Sequence, residues 1–324
     1  MKHIRFTAMV LTVAATLTLS QFAVAQKAGS GQRTTYSEAL AQHPGWVQIP
    51  GELIRPDCVH AVPSGAKVTI GADGMSGDVS FNGEVVAHYD PCPESPVVTR
   101  PSGMGDSLQN EPPSGNGWVE ASNWLISLGG SDNIDLIQGN WKVPKNPKIN
   151  GGLIYLFNGM EDSTFAWILQ PVLQYGVGYA GGGNYWVVAS WLVGSSAYFS
   201  PLEGVNPGDS LTGYTKMTGD SGGTLDFKIQ ATDNTTGAYS WLDASSTGLQ
   251  WTWALAGVLE AYNINECSNF PKSGDAVFSK TVLDHGYPKF EALKPPKWGA
   301  SYWNYGGPSC SFHVTPGTTS TLKF

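Results

Sequence analysis

From residue 117 onward the chain consists of short alternating runs, each closed by a turn signal. No other feature constrains the fold as strongly. The runs include 133–141, 152–157, 165–169, 185–193, 224–229 and 277–283. Between them lie Gly129-Gly130, Asn158-Gly159, Gly181-Gly182-Gly183, Pro207-Gly208, Gly222-Gly223 and Thr236-Gly237. A period of two puts alternate side chains on one buried face, and regular turn signals fold such strands back on one another. The expected fold class is therefore all-β, an antiparallel sandwich or barrel. The run 251–262 contains good helix formers, but Gly257 and the pair Trp251 and Trp253 favour a strand. Composition agrees, since only 14% of residues are charged while Gly and aromatic residues are abundant, a poor match to coiled coils and helical bundles.

The first 25 residues read as an export signal. Lys2, His3 and Arg5 form a positive start, an apolar stretch follows, and Ala23-Val24-Ala25 is a small-x-small cleavage site. No later run is long and apolar enough to span a bilayer, so no membrane is expected as a partner. The product is expected to be soluble and secreted, extracellular or periplasmic. The whole chain carries a formal charge of −8 without basic patches, which excludes nucleic acid as a partner.

Export permits disulfides. Cys58, Cys92, Cys267 and Cys310 allow three connectivities. Cys58–Cys92 and Cys267–Cys310 are favoured because each pair lies within its own segment. Residues 26–97 read as a small disulfide-closed β unit, with Asn82-Gly83 as a hairpin turn. Residues 98–116 are rich in Pro, Gly and Ser and read as a linker. Residues 117–324 form the sandwich domain.

Several constellations carry no chemistry. Gly219-Asp220-Ser221-Gly222-Gly223 spells a serine-peptidase motif, but no upstream histidine has the matching context, so it reads as a hairpin turn. The histidines lack ligand spacing, Asp132 and Asp135 lack a calcium-loop pattern, and the glycine triplet at 181 is not followed by a helix or a lysine. Neither a metal nor any other cofactor is expected. Asn234-Thr235-Thr236 is a glycosylation sequon.

Two polar residues stand out on apolar strand faces. Gln170 shares a face with Ile168, and Glu260 shares one with Val258 and Tyr262. A carboxyl group so placed is expected to be desolvated, with its pKa raised. It is then either satisfied structurally or poised for proton transfer.

The segments around these two residues resemble, in order, those of the eqolisin-type glutamic peptidases. Asn123-Trp124, Gly130-Ser131-Asp132 and Val143-Pro144 resemble that family's N-terminal strands. Ile168-Leu169-Gln170 is similar to its I-L-Q-T-G segment, and Val258-Leu259-Glu260-Ala261-Tyr262 to its I-I-E-D-F segment. Weaker echoes are 155–159, Tyr185 through Leu192, Gly208-Asp209-Ser210 and 233–237. The resemblance implies a concanavalin A-like jelly roll with the N-terminal β unit added. It implies Glu260 as the base that activates water and Gln170 as the group that orients the water and holds the oxyanion. It also implies Trp124, Trp191, Tyr185 and Asn158 as cleft residues that bind a polypeptide substrate. The chain is expected to act as a monomer.

The departures from the family are specific. Asn158 and Ser190 stand where the family has Asp and Glu, Pro171-Val172 replaces Thr-Gly, and Ala261 replaces Asp. The family's basic propeptide is also missing, because residues 26–115 hold five basic residues against ten acidic ones. The competing reading is a carbohydrate-binding or carbohydrate-active sandwich without peptidase activity, with Glu161 and Asp162 on a loop adding polar contacts.

Overall fold

The structure is a computed structural model that describes residues 40–98, 117–129, 132–294, 296–303 and 307–324. The signal sequence and nearly all of the linker lie outside the described residues.

Among the described residues the strands form three sheets of nine, eleven and three strands, and helical structure is confined to single turns such as Pro56–Cys58 and Cys267–Asn269. The two large sheets form a sandwich, so the all-β expectation holds. The nine-stranded sheet is centred on Gly117–Leu125, Trp251–Tyr262, Leu153–Asp162, Ile168–Gly178 and Gly181–Val193, in that order across the sheet and antiparallel throughout. The segment 251–262 is a strand, buried along its whole length because protein covers both of its faces. The eleven-stranded sheet is centred on Asp275–His285, Ile134–Lys142, Ser210–Ser221, Thr224–Asp233 and Tyr239–Thr247. Its strands alternate buried and half-exposed residues, as in iBiBiBiBiB for Thr224–Asp233, because only one face packs on the core.

The serine-peptidase-like motif folds as a turn. Ser221 pairs with Thr224, and Gly222 and Gly223 at positive φ make the two-residue connection between antiparallel strands. Asn82-Gly83 does the same between Gly77–Phe81 and Glu84–Tyr89.

The strands before residue 99 are woven into the sandwich. Val59–Ala61 lies parallel to Ala197–Phe199 at the edge of the nine-stranded sheet. Lys67–Ile70 lies parallel to Tyr239–Thr247 and extends the eleven-stranded sheet. These are parallel pairings in a sandwich otherwise read as antiparallel. The third sheet comprises Val47–Ile49, Glu52–Ile54 and Val97–Val98. Disulfides join Cys58 to Cys92 and Cys267 to Cys310.

The alternation of the nine-stranded sheet separates two interiors. Ile154, Leu156, Leu169, Leu173, Leu259 and Ala261 face the eleven-stranded sheet. Tyr155, Phe157, Ile168, Val172, Val258 and Tyr262 face the other way, against Ile49, Leu53 and Ile54 of the small sheet. Full burial of each such aliphatic side chain contributes about 1.5–3 kcal/mol, so the small sheet is held by a core of its own.

Candidate functional site

The candidate site is the face of the nine-stranded sheet that the small sheet covers. Glu260 lies on Trp251–Tyr262 between Val258 and Tyr262, both of which belong to that covered cluster. Gln170 lies on Ile168–Gly178 between Ile168 and Val172, which belong to it as well. Both side chains are fully buried. Glu260 pairs with Tyr155, and Tyr155 pairs in turn with Gln174. Gln170 lies four residues along its strand from Gln174. The two residues therefore share a face but not a row, offset by roughly 13 Å along the strands and by two strand spacings, roughly 10 Å, across them.

Glu260 is held from two directions. Its Oε1 accepts a hydrogen bond from the Gly51 main-chain N–H at 2.7 Å and another from the Tyr262 hydroxyl. Gly51 is the second residue of the Pro50-Gly51 turn joining Val47–Ile49 to Glu52–Ile54. Its φ of 85° suits glycine, and Pro at the preceding position fixes the other half of a type II turn. The buried tip of that hairpin thus places one peptide N–H on the Glu260 carboxylate. Gln48 at the base of the turn braces it, donating through Nε2 to the carbonyls of Ile49 and Glu52.

Gln170 is in the opposite situation. Neither its amide nitrogen nor its amide oxygen has a hydrogen-bond partner among the described residues. Trp191, directly across from it and on the same face, also has an unpartnered indole N–H. Two donors and an acceptor without partners in one buried spot are unusual, because each unmet group costs about 1–3 kcal/mol. Trp191 stacks on Phe199 with ring centroids 4.7 Å apart, which fixes its orientation.

Glu161 joins this face. It pairs with Ile168 on one side and Trp253 on the other, and both of these face the small sheet. The diagonal to Gln170 is therefore a near-neighbour relation in the sheet. The sequence reading had placed Glu161 and Asp162 on a loop. The structure puts both in Leu153–Asp162, fully buried. Asp162 organises the turn after the strand, accepting from the N–H groups of Thr164, Ala166 and Trp167 at 2.7–2.9 Å. The loop reading failed because Asn158-Gly159 resembles a hairpin turn. In the structure it runs straight through one long strand, and the extra residue of the bulge beside it lies on the partner strand, where Phe157 to Gly159 spans two steps against three from Val258 to Leu255. Gly159 is needed there because a Cβ would lie 2.4 Å from the Leu169 carbonyl oxygen.

The remaining cleft candidates are dispersed. Asn158 turns toward the other sheet and donates through Nδ2 to the Gly213 carbonyl at 3.0 Å. Trp124 packs against the core between the two large sheets, edge-on to Trp298. Tyr185 lies six residues up the strand from Trp191, at an exposed end. Glu260, Gln170 and Trp191 are thus brought to one face, and Asn158, Trp124 and Tyr185 are not placed beside them. Sequence reasoning missed the hairpin at residues 47–54, although Pro50-Gly51 between Val-Gln-Ile and Glu-Leu-Ile is a turn between strand-forming triplets.

Among the described residues no group of three or more His, Cys, Asp or Glu side chains is arranged to hold a metal ion. No helix among them is long and apolar enough to cross a membrane.

The fold and the face together define an all-β sandwich with buried carboxyl and amide groups on one covered sheet. No protein-family profile and no curated protein sequence matches the chain. Among solved structures it is similar to scytalido-glutamic peptidase with a peptide-based transition state analogue, at 14% identity and a TM-score of 0.46. That likeness covers 64% of this chain and 98% of that one. It is also similar to SCP-B, a member of the eqolisin family of peptidases, in complex with the tripeptide Ala-Ile-His. There the identity is 13%, the TM-score 0.43, and the coverage again 64% and 98%.

Proposed function

We propose that the chain is a secreted hydrolase of the glutamic-peptidase type, acting on polypeptides through Glu260 and Gln170. The observation that carries this reading is the Gly51 contact. A buried carboxylate on the sheet already accepts a main-chain amide from the tip of a hairpin packed against it. A site that binds peptide backbone in this way needs little alteration to bind a substrate strand.

The chemistry divides between the two residues. Glu260, ionised, takes a proton from a water molecule as that water attacks the scissile carbonyl carbon. The Gln170 side-chain N–H, uncommitted among the described residues, donates to the oxygen as it becomes an oxyanion. The protonated Glu260 then returns its proton to the leaving amine, which restores the carboxylate. Trp191 supplies a rigid wall and a second N–H beside Gln170. The hairpin tip occupies the Glu260 end, so turnover requires it to move aside.

The test is cleavage of denatured casein from acid to neutral pH, with EDTA and pepstatin present. Glu260→Gln and Gln170→Ala are each expected to abolish cleavage while leaving the circular dichroism spectrum unchanged. Cleavage that survives both substitutions, or no cleavage at any pH even after the hairpin is released, would overturn the reading.

A further inference from the structure

The outer face of the eleven-stranded sheet carries a second, unrelated arrangement. Cross-strand pairing lines up Tyr239, Thr232, Thr212, Asn140 and Ser279 as one row facing away from the core. Their neighbours along each strand, such as Ala231, Leu211 and Trp141, are buried, which fixes the outward direction of the row. The row holds hydroxyl and amide groups with no charge, and its members are already aligned. Thr212 donates to the Asn140 side-chain oxygen at 3.2 Å, and Asn234 to the Thr212 hydroxyl at 2.9 Å. Beside it Tyr214 and Gln230 form a second uncharged pair, joined at 2.8 Å.

At its Asn140–Ser279 end this row opens into a groove of about 680 Å³. Val143, Pro144 and Val277 give the groove apolar walls. Three lysines, Lys142, Lys145 and Lys280, stand around it against one carboxylate, Asp275. None of the three lysines forms an ion pair with a described residue. Three free ammonium groups in one groove are conspicuous in a chain of net charge −8. They call for an anionic occupant, and the uncharged row leading to them calls for one rich in hydroxyl groups. Apolar walls suit the flat C–H faces of sugar rings.

We propose that this outer face binds acidic glycan chains. Uronate carboxylates sit against Lys142, Lys145 and Lys280, and ring hydroxyls run along the row from Asn140 to Thr232. The surface is separate from the Glu260 face, on the other sheet, so the inference stands whether or not the chain cleaves peptides.

The test measures binding of polygalacturonate to the full chain by titration calorimetry. Fully methyl-esterified polygalacturonate and poly-glutamate serve as comparisons. Polygalacturonate is expected to bind, and the uncharged ester about tenfold more weakly or not at all. Poly-glutamate has carboxylates but no sugar hydroxyls and is expected not to bind. Combining Lys142→Gln with Lys280→Gln should weaken binding about tenfold, and Asn140→Ala should weaken it through the hydroxyl row. Lys289→Gln, in the loop after Asp275–His285, and Glu260→Gln should leave it unchanged. Equal binding of poly-glutamate would show a mere polyanion effect and overturn the proposal. So would a failure of polygalacturonate to bind, or equal losses in the Lys142/Lys280 and Lys289 variants.

Discussion

At the scale of single residues, Gln170 is the most informative side chain. It is fully buried, and both ends of its amide lack partners among the described residues. A structural role would have brought it partners, so the fold carries this residue at a cost in stability. Gln170→Leu keeps the volume and removes the unmet polar atoms. Thermal unfolding should show the variant stabilised by about 1–2 kcal/mol. Its casein cleavage should be lost in the same preparation. A destabilised Gln170→Leu would mean that the amide is satisfied in solution and serves the fold instead. Gln170 and Glu260 were legible in the sequence, because a polar residue on an otherwise apolar strand face stands out against alternation. Glu161 was not, because a glycine beside an asparagine signals a turn and a strand position under close backbone approach equally well.

At the scale of elements, strand content and turns were readable from the period of two and from glycine placement, and even 251–262 resolved as a strand. What alternation does not encode is which strand pairs with which. Nothing local in Val59–Ala61 or Lys67–Ile70 announces a parallel partner well over a hundred residues away. The N-terminal segment therefore read as a separate unit, and the structure shows its strands sharing both large sheets. The hairpin at residues 47–54 is the exception within that weave, because its strands pair only inside the three-stranded sheet. It can leave the Glu260 face without unpairing either large sheet. Gly51→Val places a β-branched residue at a φ of 85°, which the turn does not tolerate, and so should loosen the tip. Casein cleavage is expected to rise several-fold in this variant, and adding Glu260→Gln should silence it. Limited proteolysis within residues 47–54 reports release independently. Release without any gain in cleavage would mean that the tip does not block the site.

At the scale of the whole molecule, buried carboxyl groups give the fold a preference for acid. Burial pushes Glu120 up to about 8, offset in part by the His313 main-chain N–H. Burial likewise raises Asp135 to about 6, and shifts Asp243 and Asp284 in the same direction. A carboxyl group with a raised pKa binds its proton more tightly folded than unfolded. Its contribution is therefore complete below the unfolded value and is lost as pH rises through the folded one. His60, stacked on Tyr89 at 3.6 Å, opposes this. Burial lowers it to about 4, so it favours the folded state above its ordinary value and costs stability as pH falls from 6.5 toward 4. The windows separate the two effects. Between pH 8 and 6.5 Glu120 acts while His60 is neutral in both states, and stability should rise on acidification by roughly 2 kcal/mol. Below pH 6.5 Glu120 and His60 nearly cancel, and Asp135 adds a smaller gain below pH 6. Melting temperature should therefore climb between pH 8 and 6.5 and continue gently toward pH 5. Glu120→Gln should flatten the first part, and His60→Gln should steepen the second. A melting temperature that falls from pH 8 to 6.5, or a rise that Glu120→Gln leaves intact, would show that these groups do not set the profile.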